Sequence, residues 1–367
     1  MEVHAILQVL WFLLIAVLLM GYFILDGFDL GAGILYPFVA KKESEKAIVR
    51  QAVGPVWDGN EVWLLTGGGA LFAAFPPAYA MSFSGFYLAI MLVLFGLIFR
   101  AIAVEYRGRD PKWKGFWDAV FVVGSFLPAL LSGAAIGNVI QGIAMDSVTV
   151  GQFTHMEYAG GFFSLLNPFA LLCALTGLMA FLTQGAAWLC LKSPVDNLVR
   201  QRAKQLRSTF SIGQLVLFAL TSAYFFLLVL PSFGDTRIGM PVAYVFAAVF
   251  VVGWIVSRLF MANKNDLMSF LSVNITPVAL IGITAASLFP NLIPAANNPK
   301  GVFTYFIVPG AADTANSLTI WAHSSSELSL TAMTIITCIG LPLVLLYHVI
   351  IYRTFRGRIK EEEIGEY

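Results

Sequence analysis

Carboxylate side chains recur within otherwise apolar stretches of the first third of the sequence. Two pairs are spaced by three residues, Asp26 with Asp29 and Asp58 with Glu61, and this spacing places both members near one face of a helix. Ionisable side chains inside membrane-spanning helices are costly and usually functional, and acids there often relay protons. These pairs therefore predict a proton or cation entry route. Asp58 is the first candidate for a conducting acid, because the sequence around it is too polar for a segment whose only role is to cross the membrane.

Three further charged side chains are predicted at the same level of the membrane, namely Arg100, Glu105 and Asp118. Acids near membrane interfaces cost little free energy. For Asp26, Glu105 and Asp118 we therefore favour ion pairing at helix ends, with Arg100 and Arg107 as partners, over a conducting role.

Histidines are few and badly placed for cofactor chemistry. The four are His4, His155, His323 and His348. A haem held by two histidines needs two that face each other at similar depth, and none of these falls in the middle of a predicted span. The cysteines have no paired spacing, and no nucleotide-binding loop or nucleophile constellation is present. The chain is therefore not expected to ligate a haem or a metal.

The composition identifies lipid as the solvent of these residues. Of 367 residues, 59% are hydrophobic and 12% are charged, and the mean hydropathy is +0.81; soluble domains carry about 25% charged residues. The net charge of +1 gives no reason to expect a nucleic acid partner. The amino terminus lacks the basic region of a signal peptide, so the first apolar segment is expected to remain as a span.

The fold class predicted is an all-α integral membrane protein with a single domain over residues 1–367 and nine transmembrane helices. A spanning helix needs about 20 mostly apolar residues. The second segment is the weakest, because acids, Asn60 and three glycines interrupt it. Helices one to four and five to eight are expected to form two groups, with a peripheral ninth helix. The predicted spans are 5–33, 52–75, 78–103, 116–143, 162–191, 209–231, 239–261, 267–289 and 327–351.

The distribution of basic residues predicts the topology. Of the 22 Lys and Arg residues, all but Arg237 and Lys300 fall in the connections after helices one, three, five and seven or in the carboxyl-terminal tail. Because cytoplasmic connections are enriched in Lys and Arg, the amino terminus is predicted outside and the carboxyl terminus in the cytoplasm.

The acids lie in motifs whose order is preserved along the chain. They include Asp26-Gly27-Phe28-Asp29-Leu30-Gly31, Trp57-Asp58-Gly59-Asn60-Glu61-Val62-Trp63-Leu64, Gly67-Gly68-Gly69-Ala70-Leu71-Phe72-Ala73-Ala74-Phe75-Pro76, Gly137-Asn138-Val139-Ile140-Gln141-Gly142 and Leu166-Asn167-Pro168-Phe169. Together they closely resemble subunit II of cytochrome bd-type quinol oxidases. The resemblance extends over essentially the whole chain and is strongest in its first half.

This resemblance implies a subunit of the bacterial inner membrane that pairs with a related subunit I. Subunit I would carry two b-type haems, one d-type haem and the quinol site, with quinol and oxygen as substrates of the complex. Subunit II would stabilise subunit I and contribute a route for cytoplasmic protons to the oxygen-reducing haem. Some members bind a structural quinone in this subunit. Small single-helix accessory subunits and membrane lipid are the other partners to consider.

The resemblance also assigns roles to single residues. The proton-route acids of the family match Asp58 and Glu105, and Asp29 is a weaker candidate. Supporting or ion-pairing roles are expected for Trp57, Asp26, Glu61, Arg100 and Asp118.

Two other functions, a secondary transporter and a structural scaffold, would also be compatible with carboxylates in membrane helices. A proton-coupled secondary transporter would also place carboxylates in its helices, but it would usually show a midplane substrate site and repeated halves, whereas the charges here cluster at one face. A purely structural scaffold for a redox partner differs only in whether Asp58 conducts protons.

Overall fold

The computed structural model describes residues 3–150, 153–233, 237–297, 311–360 and 362. Lys300 and most of the charged tail after Lys360 therefore lie outside the described residues. The helices of the first half are α1 (Val3–Val39), α2 (Glu43–Val53), α3 (Trp57–Ala74), α4 (Pro76–Gly85), α5 (Tyr87–Tyr106) and α6 (Lys114–Gln141). Those of the second half are α7 (Pro168–Lys192), α8 (Leu198–Tyr224), α9 (Leu230–Phe233), α10 (Met240–Ala262), α11 (Asp266–Val273), α12 (Ile275–Leu288) and α13 (Glu327–Thr354).

The all-helical membrane fold is confirmed, although the count of nine spans is not reproduced in full. In the described part of the chain, eight helical stretches are long and apolar enough to cross a membrane. The predicted span 52–75 starts in the last residues of α2, and α3 begins only at Trp57. The 18 residues of α3 include Asp58, Asn60 and Glu61. Because the first turns of α3 are polar, α3 is not among the eight helical stretches that are apolar enough to cross a membrane.

Two predicted helices are interrupted. The segment 78–103 is divided at Phe86, where α4 ends and α5 begins. The segment 267–289 is divided at Asn274, whose side-chain amide donates to the carbonyl of Phe270. A side chain that bonds the backbone of the preceding turn competes with a regular helix, which accounts for the second break.

The first helix is longer than predicted, since it continues to Val39, and its glycines are packing positions. A Cβ atom on Gly31 would lie 1.9 Å from the carbonyl oxygen of Phe181, and one on Gly185 would lie 2.3 Å from the amide nitrogen of Ala32. Helices α1 and α7 therefore touch backbone to backbone. A close approach is also present at Gly133, where a Cβ would lie 2.7 Å from Cα of Ala174. The interior is built around α1 and α7, which are in contact with each other and with α6.

The last helix is peripheral. Helix α13 contacts α1 and α3, and its buried residues are Leu330 and His348. Its amino terminus begins at Ser326, whose hydroxyl accepts a hydrogen bond from the amide of Ser329, an N-terminal cap that satisfies one of the free amides of the first turn.

Two antiparallel hairpins lie in the connections 144–161 and 290–326. Strand β1 (Met145–Val150) pairs with β2 (Phe153–Tyr158), and β3 (Asn291–Asn297) pairs with β4 (Ala311–Thr319). A bridge between Ile143 and Ala295 joins the two connections. These hairpins cover the predicted outer end of the bundle, opposite the end at which α1 finishes and α3 begins.

Candidate functional site

A buried ion triad joins α1, α3 and α5. One terminal nitrogen of the Arg100 guanidinium lies 2.6 Å from the carboxylate of Asp26, and the other lies 2.7 Å from Glu61. The side chains of Arg100 and Asp26 are 1% and 0% exposed, and that of Glu61 is 20% exposed. The helices were predicted to bring these charges to one level, and the structure brings them into contact. The guanidinium balances two carboxylates with charge-assisted hydrogen bonds.

Asp29 belongs to a second hydrogen-bonded group. Its carboxylate accepts a 2.7 Å bond from the side-chain amide of Asn60, whose carbonyl oxygen accepts a 2.8 Å bond from the hydroxyl of Tyr352. Asp29 is fully buried. This group connects α1 to α13 through α3, so Asp29 holds α3 in place and is not open to the surface of the chain.

Asp58 and Glu105 stand apart from both groups. Each is exposed on the surface of the chain, and neither forms an ion pair within the part that the structure describes. The ion pair expected for Glu105 is therefore absent among these residues. Trp57, beside Asp58, is half-buried and packs against the main core.

The turns of α3 that follow Asp58 are in contact with side chains of α13. The indole nitrogen of Trp63 donates a 3.1 Å hydrogen bond to the imidazole of His348, and a Cβ on Gly59 would lie 2.7 Å from the ring of Tyr347. His348 is buried in this contact. The spacing of four residues between His348 and Tyr352 indicates a shared helix face, yet nothing in the sequence says which helix this face meets.

The predicted cytoplasmic end carries a separate ion cluster. The carboxylate of Asp118 lies 2.5 Å from the Arg107 guanidinium and 2.8 Å from the Lys46 ammonium, and it accepts a 2.8 Å bond from the hydroxyl of Tyr36. The ion-pairing interpretation of Asp118 fits this geometry. Glu43, in α2, lies 3.1 Å from Arg107, and this hydrogen bond lowers the pKa of the Glu43 carboxyl.

The lowered pKa of Glu43 predicts a local response to acid. Its contribution to holding α2 should be fully present above the unfolded value of about 4.3 and should be lost as the pH falls through the lower folded value. Because Glu43 is largely exposed, the loss should not exceed about 1 kcal/mol. The protection factors of the α2 amides, which are corrected for the intrinsic exchange rate at each pH, should fall in acid more in the wild type than in Glu43→Gln. An equal fall in both proteins would show that Glu43 does not hold the helix.

The histidines offer no ligand pair for a haem. The two ring nitrogens of His348 lie 2.8 Å from the carbonyl oxygen of Val344 and 3.1 Å from the indole nitrogen of Trp63. His4 bonds the carbonyl of Ser325, and the Nδ1 atom of His323 accepts from the amide of Thr319. Within the described ranges, no three His, Cys, Asp or Glu side chains are grouped as metal ligands. These three histidines are therefore engaged in hydrogen bonds within the chain.

Comparison with known proteins gives one consistent family. The family model of cytochrome bd terminal oxidase subunit II matches residues 7–355. The probable cytochrome oxidase subunit 2 of Haemophilus influenzae is 36% identical, over 97% of this chain and 96% of that protein. The cytochrome bd-I ubiquinol oxidase subunit 2 of Escherichia coli is 32% identical, over 98% of this chain and 97% of that protein.

A more distant relative and a solved structure agree with this assignment. The cytochrome bd ubiquinol oxidase subunit 2 of Bacillus subtilis is 30% identical, over 98% of both chains. A chain in the structure of bd oxidase from Geobacillus thermodenitrificans superposes with a TM-score of 0.72 at 14% identity, over 95% of this chain and 98% of that one. At that identity the superposition supports the fold.

Proposed function

Because the chain belongs to the family of cytochrome bd terminal oxidase subunit II, we propose that it is the haem-free subunit of its oxidase and that Asp58 admits cytoplasmic protons for oxygen reduction. The complex is a quinol:oxygen oxidoreductase of the bacterial inner membrane, with a subunit I partner and haems. This membership replaces the transporter alternative. The amino terminus would lie outside and the carboxyl terminus in the cytoplasm.

The exposure of Asp58 is the observation that carries the proton route. Asp26 and Asp29 are buried among partners that hold them, and Glu61 is paired with Arg100. Asp58 has no ion pair within the described chain and opens to its surface. A carboxyl group must be reachable from both sides to pass a proton on, and among these acids Asp58 meets that requirement best.

The depth of Asp58 in the membrane fits the entrance of a proton route and not a site at the membrane midplane. Gln8 of α1 donates to the carbonyl of Trp321 at the outer end, and Asp26 follows 18 residues later on the same helix. At about 1.5 Å per residue, Asp26 lies about 27 Å below the outer end. The neighbouring first turn of α3, with Asp58, is therefore near the predicted cytoplasmic side of the hydrocarbon region.

One face of α3 supplies a surface for subunit I. Residues spaced alternately by four and three along the helix are exposed together, and the space around Gly69 is open, with nothing within 4 Å of a Cβ there. Such a stripe is the geometry of two helices packed side by side, and a small residue within it permits close approach. The stripe comprises Asp58, Val62, Leu65, Gly69 and Phe72. A helix of subunit I packed there would bury apolar side chains that are now 38–66% exposed and would cover Asp58.

Glu105 is the second acid of the proposed route. It is exposed near the end of α5, the helix that supplies Arg100. Asp29 takes a supporting role, because its carboxylate holds Asn60. The haems of the complex, two b-type and one d-type in the related enzymes, would belong to subunit I, since the histidines of this chain have other hydrogen-bond partners.

Replacement of Asp58 tests the proposal. Asp58→Asn should leave assembly and the haem spectrum of the complex unchanged, because Asn is similar in size and the site is exposed. Turnover with quinol should fall about tenfold, equivalent to about 1.4 kcal/mol of barrier, because the amide cannot release and accept a proton. The measurements are oxygen consumption per haem and proton uptake, made on the complex purified through a tag on this chain.

Two matched variants sharpen the result. Asp58→Glu should retain most of the turnover, since it keeps the carboxyl group. Asp146→Asn, at an exposed aspartate of the opposite end, should behave as wild type. If Asp58→Asn assembled with full haem content and normal turnover and proton uptake, the proton route would be rejected and a scaffold role would remain.

A further inference from the structure

The contact between α13 and the first two turns of α3 is more specific than a peripheral helix requires. His348 is one of two buried residues in the 28 residues of α13. Three positions of α3 meet this helix. Gly59 faces the ring of Tyr347, Asn60 accepts from Tyr352, and Trp63 donates to His348.

The hydrogen bonds of His348 fix its tautomer. Nδ1 lies 2.8 Å from the carbonyl oxygen of Val344, which can only accept. Nε2 lies 3.1 Å from the indole nitrogen of Trp63, which can only donate, and 3.2 Å from the carbonyl oxygen of Gly59. The tautomer with the proton on Nδ1 satisfies the shorter carbonyl contact and leaves Nε2 to accept the indole N–H. The rings of Trp63 and His348 also pack edge to face, with their centroids 5.7 Å apart. His348 thus offers a single acceptor, directed at α3.

This hydrogen bond lies where it would resist rotation of α3 about its own axis. Successive residues of a helix are separated by about 100° around the axis, so a modest rotation would carry Asp58 from the surface toward the core. Helix α3 lies close against α13 at Gly59, where a Cβ would lie 2.7 Å from the ring of Tyr347. The bond between Trp63 and His348 then fixes the helix at a second point, more than one turn further along.

We propose that His348 is a positioning residue for proton uptake: by accepting the indole N–H of Trp63, it holds α3 in the rotation that presents Asp58 to subunit I. This inference rests on the proposed function of Asp58. His348 contributes its hydrogen-bond acceptor and does not carry the transferred proton. The ionisable groups around the contact are Tyr347 and Tyr352 on α13, Asp58 and Glu61 on α3, Asp29 on α1 and Arg100 on α5.

The test replaces His348 in the intact oxidase. In His348→Leu the indole loses its acceptor, and turnover per haem should fall about tenfold. This is less than the roughly hundredfold cost of a 1 Å misplacement, because other contacts still hold α3. Proton delivery would become rate-limiting, so turnover should fall with rising pH and the solvent deuterium isotope effect should increase, while the KM for quinol stays unchanged. His348→Gln should restore both properties, since its amide can donate to Val344 and accept from Trp63.

A double-mutant cycle identifies the bond itself. Trp63→Phe removes the donor and keeps an aromatic ring, so it should reproduce the pH profile and isotope effect of His348→Leu. If both act through one bond, the double variant should be no slower than either single variant. Multiplied losses would show that the two residues act separately and would overturn the proposal. If His348→Leu fails to assemble, Trp63→Phe carries the same measurements.

A purely structural role predicts a different result. In that case His348→Leu and Trp63→Phe would lower the thermal stability of the complex, while turnover per haem, pH profile and isotope effect stayed at wild-type values, and the proposal would be rejected. Asp58→Asn is measured in parallel. If Asp58→Asn is without effect, the proton route itself fails; if it is slow while the His348 and Trp63 variants are normal, only the positioning role fails.

Discussion

Arg100→Gln should prevent most of the chain from folding and assembling. The guanidinium is 1% exposed and contacts the carboxylates of Asp26 and Glu61. Its removal leaves the fully buried Asp26 without its counter-charge, and breaking a buried ion pair in this way typically costs about 3–5 kcal/mol. Since whole domains are stable by only about 5–15 kcal/mol, little margin would remain. The measurement is the amount of haem-loaded complex per membrane, together with its thermal unfolding midpoint.

A matched control and a rescue separate charge balance from general damage. Arg109→Gln, at an exposed arginine near the end of α5, should assemble as wild type. Combining Arg100→Gln with Asp26→Asn should restore part of the assembly, because it removes the buried charge that Arg100 balanced. Normal assembly and an unchanged midpoint in Arg100→Gln alone would contradict the role given to the triad.

The sequence predicted that Asp26 and Arg100 lie at one level because helix length sets depth. Asp26 follows a long apolar run from the outer end, and Arg100 lies near the end of a helix that runs the same way. Counting residues along alternating helices therefore placed both at one level, and the structure joins them at 2.6 Å. The same counting placed Asp118 near the basic connections, where it is paired with Arg107.

Rotation about the helix axis was not predictable in the same way. Asp58 and Glu61 are three residues apart, and their spacing predicted one shared face. Three residues leave an offset of about 60°, and the structure uses it to turn Glu61 to Arg100 while Asp58 stays exposed. The orientation depends on contacts with α13, which lies nearly 300 residues away in the sequence.

The helix break at Phe86 and the outer hairpins could not be predicted from the sequence for a different reason. Phe86 has apolar residues on both sides, so hydropathy continues unchanged across the point where α4 gives way to α5. The strands β1 and β2 are short polar segments whose pairing depends on the helices that bring their ends together. Periodicity within a single segment carries no information of this kind.

Gly31→Leu should abolish the folded subunit, because no side chain fits between α1 and α7. Even a Cβ atom would lie 1.9 Å from the carbonyl oxygen of Phe181, and the obstacle is backbone, which cannot rotate away as a side chain would. Overpacked cores typically lose about 1–3 kcal/mol when side chains can adjust. Here the two central helices would have to separate, so the loss should be larger, and haem-loaded complex should be nearly absent from the membrane.

Gly340→Ala supplies the matched comparison for Gly31→Ala, the smallest test of the same contact. No atom of the described residues lies within 4 Å of a Cβ on Gly340 in α13, and Ala stabilises a helix interior by about 0.5–1 kcal/mol relative to Gly. Gly340→Ala should therefore assemble as wild type with an equal or higher unfolding midpoint, whereas Gly31→Ala should lower both assembly and midpoint. The gain in helix propensity is the same at both positions, so the difference between the two variants measures the contact between α1 and α7. Equal midpoints would mean that these backbones are not in contact in the assembled oxidase.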